Sequence, residues 1–130
     1  MSQAYLENNA KDPDVKTTAS GLQYKVLKKG KGKSPKMTDK VVVHYEGRLV
    51  DETVFDSSYQ RGKPTEFKVN GVIKGWSEAL TMMSKGSQWE LTIPPDQAYG
   101  TKGIPGVIPP SSVLIFKVEL IKIAKSFFGF

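Results

Sequence analysis

Apolar residues recur along this chain with two periods. Leu22, Tyr24 and Val26 alternate with Gln23 and Lys25, and Val41, Val43 and Tyr45 alternate with Val42, His44 and Glu46. Trp89, Leu91 and Ile93 alternate with Gln88, Glu90 and Thr92, and Leu114, Phe116, Val118 and Leu120 alternate with Ile115, Lys117 and Glu119. A period of two predicts strands with one face on a core and the other face wetter. A shorter strand is expected over residues 65–69. One segment keeps the other period: Trp76, Ala79, Leu80 and Met83 fall at i, i+3, i+4 and i+7 and line one stripe of a helix. Gly86 stands just beyond as a stop. Antiparallel-type strands with one amphipathic helix of about three turns predict an α+β domain, the helix packed on one face of the sheet.

The ends of the chain read differently. Residues 3–10 predict a short helix that ends at Asp12-Pro13. Its apolar residues, Ala4, Tyr5 and Leu6, are too few to bury a face alone, so it reads as a frayed arm or the end of a longer helix. Residues 14–20 are polar and read as a linker. The expected division is a leader over 1–20, a domain over 21–124 and an aromatic tail over 125–130, where Phe127, Phe128 and Phe130 either fold back on the domain or contact a partner.

Composition narrows the chemistry. At 130 residues the chain is one domain with a real core. It has no cysteine and one histidine, His44. That excludes disulfides, thiolate metal sites and a cysteine nucleophile, and a lone His inside a strand supports neither a zinc site nor a serine triad. No metal and no cofactor is expected. No apolar run approaches the ~18 residues of a membrane span, and the N-terminus as written has no basic region followed by an apolar one, so no signal peptide is expected. The formal charge is +6, and much of the excess lies in Lys25, Lys28, Lys29, Lys31, Lys33, Lys36 and Lys40. This run holds no Arg and no aromatic ring for bidentate or stacking contacts, so it reads as a solvated loop and not as a nucleic-acid surface.

Residues 98–110 form a Gly/Pro loop with Tyr99 near its start and Ile104, Val107 and Ile108 beyond. Apolar side chains held in a shaped loop either wall a pocket or plug their own core. Val72-Ile73-Lys74-Gly75-Trp76 enters the helix. Trp76 taken alone reads as core packing; at a cleft it makes a rigid apolar floor. The N–H groups of Val72 and Ile73 have no intrahelical partner and can donate to a ligand carbonyl. Tyr45, Phe55 and Phe116 add aromatic surface. Asp56 reads as a turn or cap residue, or as a carboxylate held by Arg61 five residues on. No carboxylate pair, nucleophile or phosphate loop is present. Such a site suits binding an apolar group, or a reaction that breaks no covalent bond.

Val42-Val43-His44-Tyr45-Glu46-Gly47, Phe55-Asp56-Ser57-Ser58, Val72-Ile73-Lys74-Gly75-Trp76, Ala98-Tyr99-Gly100 and Ile108-Pro109-Pro110 resemble the FKBP-type peptidyl-prolyl cis/trans isomerases, in order and spacing from about Gly21 to Ala124. The opening Ser20-Gly21-Leu22-Gln23-Tyr24 is most similar to the bacterial macrophage infectivity potentiator branch, in which a helical dimerisation segment precedes the isomerase domain. The resemblance implies a twisted antiparallel sheet wrapped around a short helix, no cofactor, and a substrate proline over Trp76. It also implies that Tyr45, Phe55, Val72, Ile73 and Phe116 line the pocket, that Asp56 and Tyr99 supply polar contacts beside Arg61, and that Ile104, Val107 and Ile108 overhang it. Partners implied are Xaa-Pro segments of client proteins and FKBP-class macrolides, with a chaperone-like binding module of weak activity as the alternative. The branch implies the periplasm or cell envelope; the missing export signal leaves the cytoplasm open. Thr65 stands where many members place an aromatic residue, Ile104 where small eukaryotic members often have His, and the connection at Asn70-Gly71 is shorter than theirs.

Overall fold

The computed structural model describes residues 2–124; the aromatic tail expected over 125–130 lies outside the described residues. Helix α1 (Ser2–Asn9) leads into seven strands: β1 (Val15–Thr17), β2 (Gln23–Lys28), β3 (Lys40–Leu49), β4 (Val54–Ser57), β5 (Thr65–Lys68), β6 (Gln88–Ile93) and β7 (Leu114–Ala124). Two further helices, α2 (Ser58–Arg61) and α3 (Lys74–Met82), follow β4 and β5. All pairings are antiparallel, in the order β1-β2-β6-β7-β3-β4, with β5 beside the first half of β3. The long pair β3–β7 runs from Lys40 opposite Ala124 to Leu49 opposite Leu114.

Alternation decides the faces. In β3, Val41, Val43, Tyr45 and Gly47 are buried and the residues between them are not. Register sets Tyr45 opposite Val118, which stands opposite Trp89, and Gly47 opposite Phe116, which stands opposite Leu91, so these side chains share the inner face. Helix α3 packs there through Trp76, Ala79 and Leu80. Its approach is close: a Cβ on Gly75 would stand 2.7 Å from Ile93. The helix ends where Met83 turns extended and its N–H bonds back to the Ala79 and Leu80 carbonyls. Gly86, expected as the stop, instead takes φ +90 in the turn after it.

The leader departs from expectation. Residues 15–17 were expected in a linker but pair with β2 as β1, Thr17 opposite Gln23. Helix α1 lies on the outer face of the sheet. Its Asn9 amide donates to Gln23 Oε1 at 2.7 Å and to Thr92 Oγ1 at 3.2 Å, while Gln23 Nε2 donates to the Leu6 carbonyl at 2.9 Å. Ile115, opposite Thr92, is consequently buried on the face expected to be wet. Polar hydrogen bonds tie this short helix down, with Tyr5 and Leu6 half-buried beside them.

Candidate active site

The inner face is not filled at the N-terminal end of α3. A cavity of about 550 Å³ opens there, lined by Tyr45, Phe55, Asp56, Phe67, Gly71, Val72, Ile73, Trp76, Ala98, Tyr99 and Phe116. Trp76 is 3% exposed. Tyr45, Phe67 and Phe116 meet its ring at 83°, 77° and 87°, with centroids 5.1–5.3 Å away. Edge-to-face contacts set the positive edge of one ring on the negative face of the next and lock each ring's orientation. The Trp76 indole N–H is buried with no hydrogen-bond partner among the described residues. Phe55 crosses Phe116 at 88° and 5.5 Å. Gly47 permits this crossing, since a Cβ there would stand 2.6 Å from Phe116 and 2.7 Å from Phe55.

One rim carries a polar network. Tyr45 Oη donates to Asp56 Oδ2 at 2.6 Å, Arg61 Nη1 donates to Asp56 Oδ1 at 2.6 Å, and Arg61 Nη2 donates to both Tyr45 Oη and Thr65 Oγ1 at 3.0 Å. Local structure builds it. The N-cap of α2 is Ser57, whose Oγ accepts from the Gln60 N–H, so the Asp56 carboxylate is left for Tyr45 and Arg61. Gly62 closes α2 at φ +82, and Arg61 in the last turn reaches back to Asp56. Ser58, fully buried, accepts from the Tyr45 N–H at 2.7 Å and anchors α2 to β3. Burial pushes the Asp56 carboxyl up, but hydrogen bonds from Tyr45 and Arg61 and the guanidinium charge outweigh it and hold the carboxyl below its usual range. Burial and the bond to Asp56 push the Tyr45 hydroxyl up, and burial followed by the Asp56 charge does the same for Tyr99. The rim is thus one fixed anion, one fixed cation and two protonated phenols.

The far rim is the loop after β6. Ile104 and Ile108 bond to each other through both N–H···O contacts at 2.8 Å, a tight hairpin. Gly103 makes it possible, at φ +62 with a virtual Cβ only 2.2 Å from the Ile108 carbonyl oxygen. Ile73 caps α3, and the N–H groups at that start have no intrahelical carbonyl to meet.

Of the residues singled out in the sequence, the structure brings Tyr45, Phe55, Asp56, Val72, Ile73, Trp76, Tyr99 and Phe116 into one wall, with Arg61 bonded behind Asp56. Ile104, Val107 and Ile108 are not in the lining. Ile108 is 3% exposed and belongs to the core, Ile104 packs against that core, and Val107 stands 48% exposed at the tip. Phe67, Gly71 and Ala98 line the cavity and were missed. Phe67 lies in the short strand expected at 65–69, but one short strand says nothing of what it faces. Thr65 holds Arg61, and Phe67, two positions on, supplies an aromatic ring of the wall.

A family model described as FKBP-type peptidyl-prolyl cis-trans isomerase matches residues 31–121. The chain belongs to this family. A second model, the domain amino terminal to FKBP-type peptidyl-prolyl isomerase, matches residues 1–26 and takes in α1, β1 and the start of β2. The chain is 57% identical over 124 residues to the peptidyl-prolyl cis-trans isomerase Mip of Coxiella burnetii, covering 95% of this chain and 54% of that protein. It is 59% identical over 119 residues to the FKBP-type 22 kDa isomerase of Escherichia coli, covering 92% and 58%. The crystal structure of FkpA from Escherichia coli superposes with a TM-score of 0.92 at 48% identity, covering 95% of this chain and 58% of that one. The chain therefore spans little more than half the length of the curated relatives it matches. The FKBP fold is the antiparallel sheet and inner helix described above.

Proposed function

We propose that this chain catalyses cis/trans isomerisation of Xaa-Pro bonds in client proteins, with the proline ring against Trp76 and the flanking backbone on the Asp56–Tyr99 rim. The observation that carries the reading is the cavity itself: three aromatic rings locked edge to face around a floor indole, open beside the start of α3. Xaa-Pro isomerisation is slow because amide resonance sets a barrier of ~18–20 kcal/mol. The twisted transition state has lost that resonance and is less charge-separated, so it loses less than the planar amide on leaving water for an aromatic cavity. On this reading the Ile73 N–H and the Tyr99 hydroxyl, both in the cavity lining, hold the carbonyls. An acceleration of about 10⁵ requires ~7 kcal/mol of preference for the transition state, and no proton transfer, metal or cofactor is called for. The same cavity would take an FKBP-class macrolide, which should compete with substrate. Kinship with the macrophage infectivity potentiators supports a periplasmic or envelope location; among the described residues no helix is long and apolar enough to cross a membrane.

The test is a protease-coupled or exchange-NMR assay on an Xaa-Pro peptide with Asp56→Ala and Trp76→Leu. Both variants should lose at least about tenfold in kcat/KM, and a macrolide should abolish wild-type turnover. Wild-type turnover at the uncatalysed rate would leave a chaperone-like binding module in place of the enzyme.

A further inference from the structure

At the end of the domain away from the cavity, two loops are bound to each other. The N–H groups of Lys31 and Gly32 both donate to the Lys85 carbonyl at 3.2 Å, the Lys85 N–H donates to the Lys33 carbonyl at 2.9 Å, and the Gly30 N–H donates to Ser87 Oγ at 3.0 Å. The contact is tight: a Cβ on Gly30 would stand 2.3 Å from the Lys85 carbonyl oxygen, and one on Gly32 2.5 Å from the Lys85 Cβ. The lysine run that reads in the sequence as a solvated loop is therefore a fixed frame. It presents Lys29, Lys31, Lys33 and Lys85 to solvent, with Lys28 and Lys36 beside them. None of the described ion pairs uses these six residues. Asp39, the nearest acid in sequence, accepts from the Lys36 backbone N–H.

Exposed apolar side chains lie close to this frame in sequence. Val26, Leu27, Met37 and Met82 are 45%, 44%, 47% and 41% exposed. Single exposed hydrophobics are ordinary, but these four adjoin the lysine frame in sequence, on β2, at the loop end and at the end of α3. Strand β7 also finishes here, Ala124 opposite Lys40. Helix α3 starts at the cavity and ends here, about 13 Å on.

We propose that this end of the domain docks on an anionic lipid bilayer and leaves the isomerase cavity facing away from it. Clustered lysines are drawn to anionic headgroups, and aliphatic side chains among them enter the headgroup boundary and add affinity. A nucleic-acid surface would carry arginine forks and stacking rings; this frame has no Arg. The test is flotation of the protein with vesicles of phosphatidylcholine alone, or with about 30% phosphatidylglycerol, at about 0.1 M salt. Binding is expected to the anionic vesicles only and to be lost at about 1 M salt. Lys29→Gln, Lys31→Gln and Lys33→Gln together should weaken it on the order of a hundredfold with isomerase turnover unchanged. Changing Met37 and Met82 to Ser should weaken it with the salt response intact. No binding, equal binding to neutral vesicles, or an unaltered triple variant would overturn the proposal. So would affinity for a single-stranded oligonucleotide that exceeds affinity for the anionic vesicles.

Discussion

Asp56, Tyr45 and Arg61 act as one unit because each fixes the others. Arg61 holds one carboxylate oxygen and Tyr45 the other, and the second guanidinium nitrogen reaches the tyrosine hydroxyl. Tyr45→Phe removes the hydroxyl and keeps the ring that borders Trp76. It should lower kcat/KM about tenfold, the worth of one charge-assisted hydrogen bond, while thermal unfolding shows a loss of only about 1–2 kcal/mol. A fall in stability without a fall in turnover would make the network structural. Protonation follows from the same contacts. The Asp56 carboxyl is held below its usual range, so its contribution is present above the ordinary carboxylate pKa of about 4 and is lost only as pH falls through the lower folded value. The Tyr45 hydroxyl is held above its usual range, so its protonated form persists past about pH 10. The kcat/KM profile should therefore be flat from about pH 5 to 9. An inflection within that range would show that a group outside the Asp56–Tyr45–Arg61 network enters the reaction. His44, the one histidine, stands on the outer face against Ser58 and Tyr59 and does not line the cavity. Trp76→Ala is a poor probe of the floor. The indole is buried among three rings, and such a truncation costs about 3–5 kcal/mol, on the scale of a small domain's total stability.

Among the elements, the loop from Ala98 to Val113 depends most on backbone shape. Gly100 and Gly103 share nearly the same left-handed conformation, φ +61 and +62, yet a Cβ at Gly100 meets nothing within 4 Å while one at Gly103 strikes the Ile108 and Pro109 carbonyls. Gly100→Ala should cost about 1 kcal/mol by strain alone. Gly103→Ala must open the Ile104–Ile108 hairpin, should cost at least about 2 kcal/mol more, and should lower turnover with it; denaturant titration and kcat/KM on the pair check both. Equal effects would mean that the hairpin is not needed. The loop also marks how far the sequence carries. Period-two alternation placed β2, β3, β6 and β7, and the i, i+3, i+4, i+7 stripe placed α3, because long amphipathic elements repeat their signal. Strands β1 and β4 and helix α2 are three or four residues long, too short for any period to show. Ile108 reads in the sequence as part of a pocket wall or as a plug of its own core, and the resemblance implies that it overhangs the pocket; in the structure it is core. A hairpin closed by backbone bonds can turn a side chain inward without any change in pattern.

At the scale of the whole molecule the sheet separates two jobs. Its inner face carries α3 and the cavity, and its outer face carries α1 through the Asn9–Gln23–Thr92 hydrogen bonds. The cavity residues were legible because several spaced motifs fall on the inner face. The docking of α1 was not, because it rests on amides that look like any polar surface. Asn9→Ala leaves Gln23 Oε1 and Thr92 Oγ1, both on nearly inaccessible residues, without the donor they share. The expected loss is about 1–3 kcal/mol, or roughly 4 °C in Tm per kcal/mol for a domain of this size. No cavity-lining residue is touched, so kcat/KM at a temperature well below the transition should stay within about twofold of wild type. Calorimetry and the peptide assay on one preparation decide the matter. If turnover falls in step with stability, the leader is coupled to the site through the sheet, and residues 2–20 then belong to the catalytic unit.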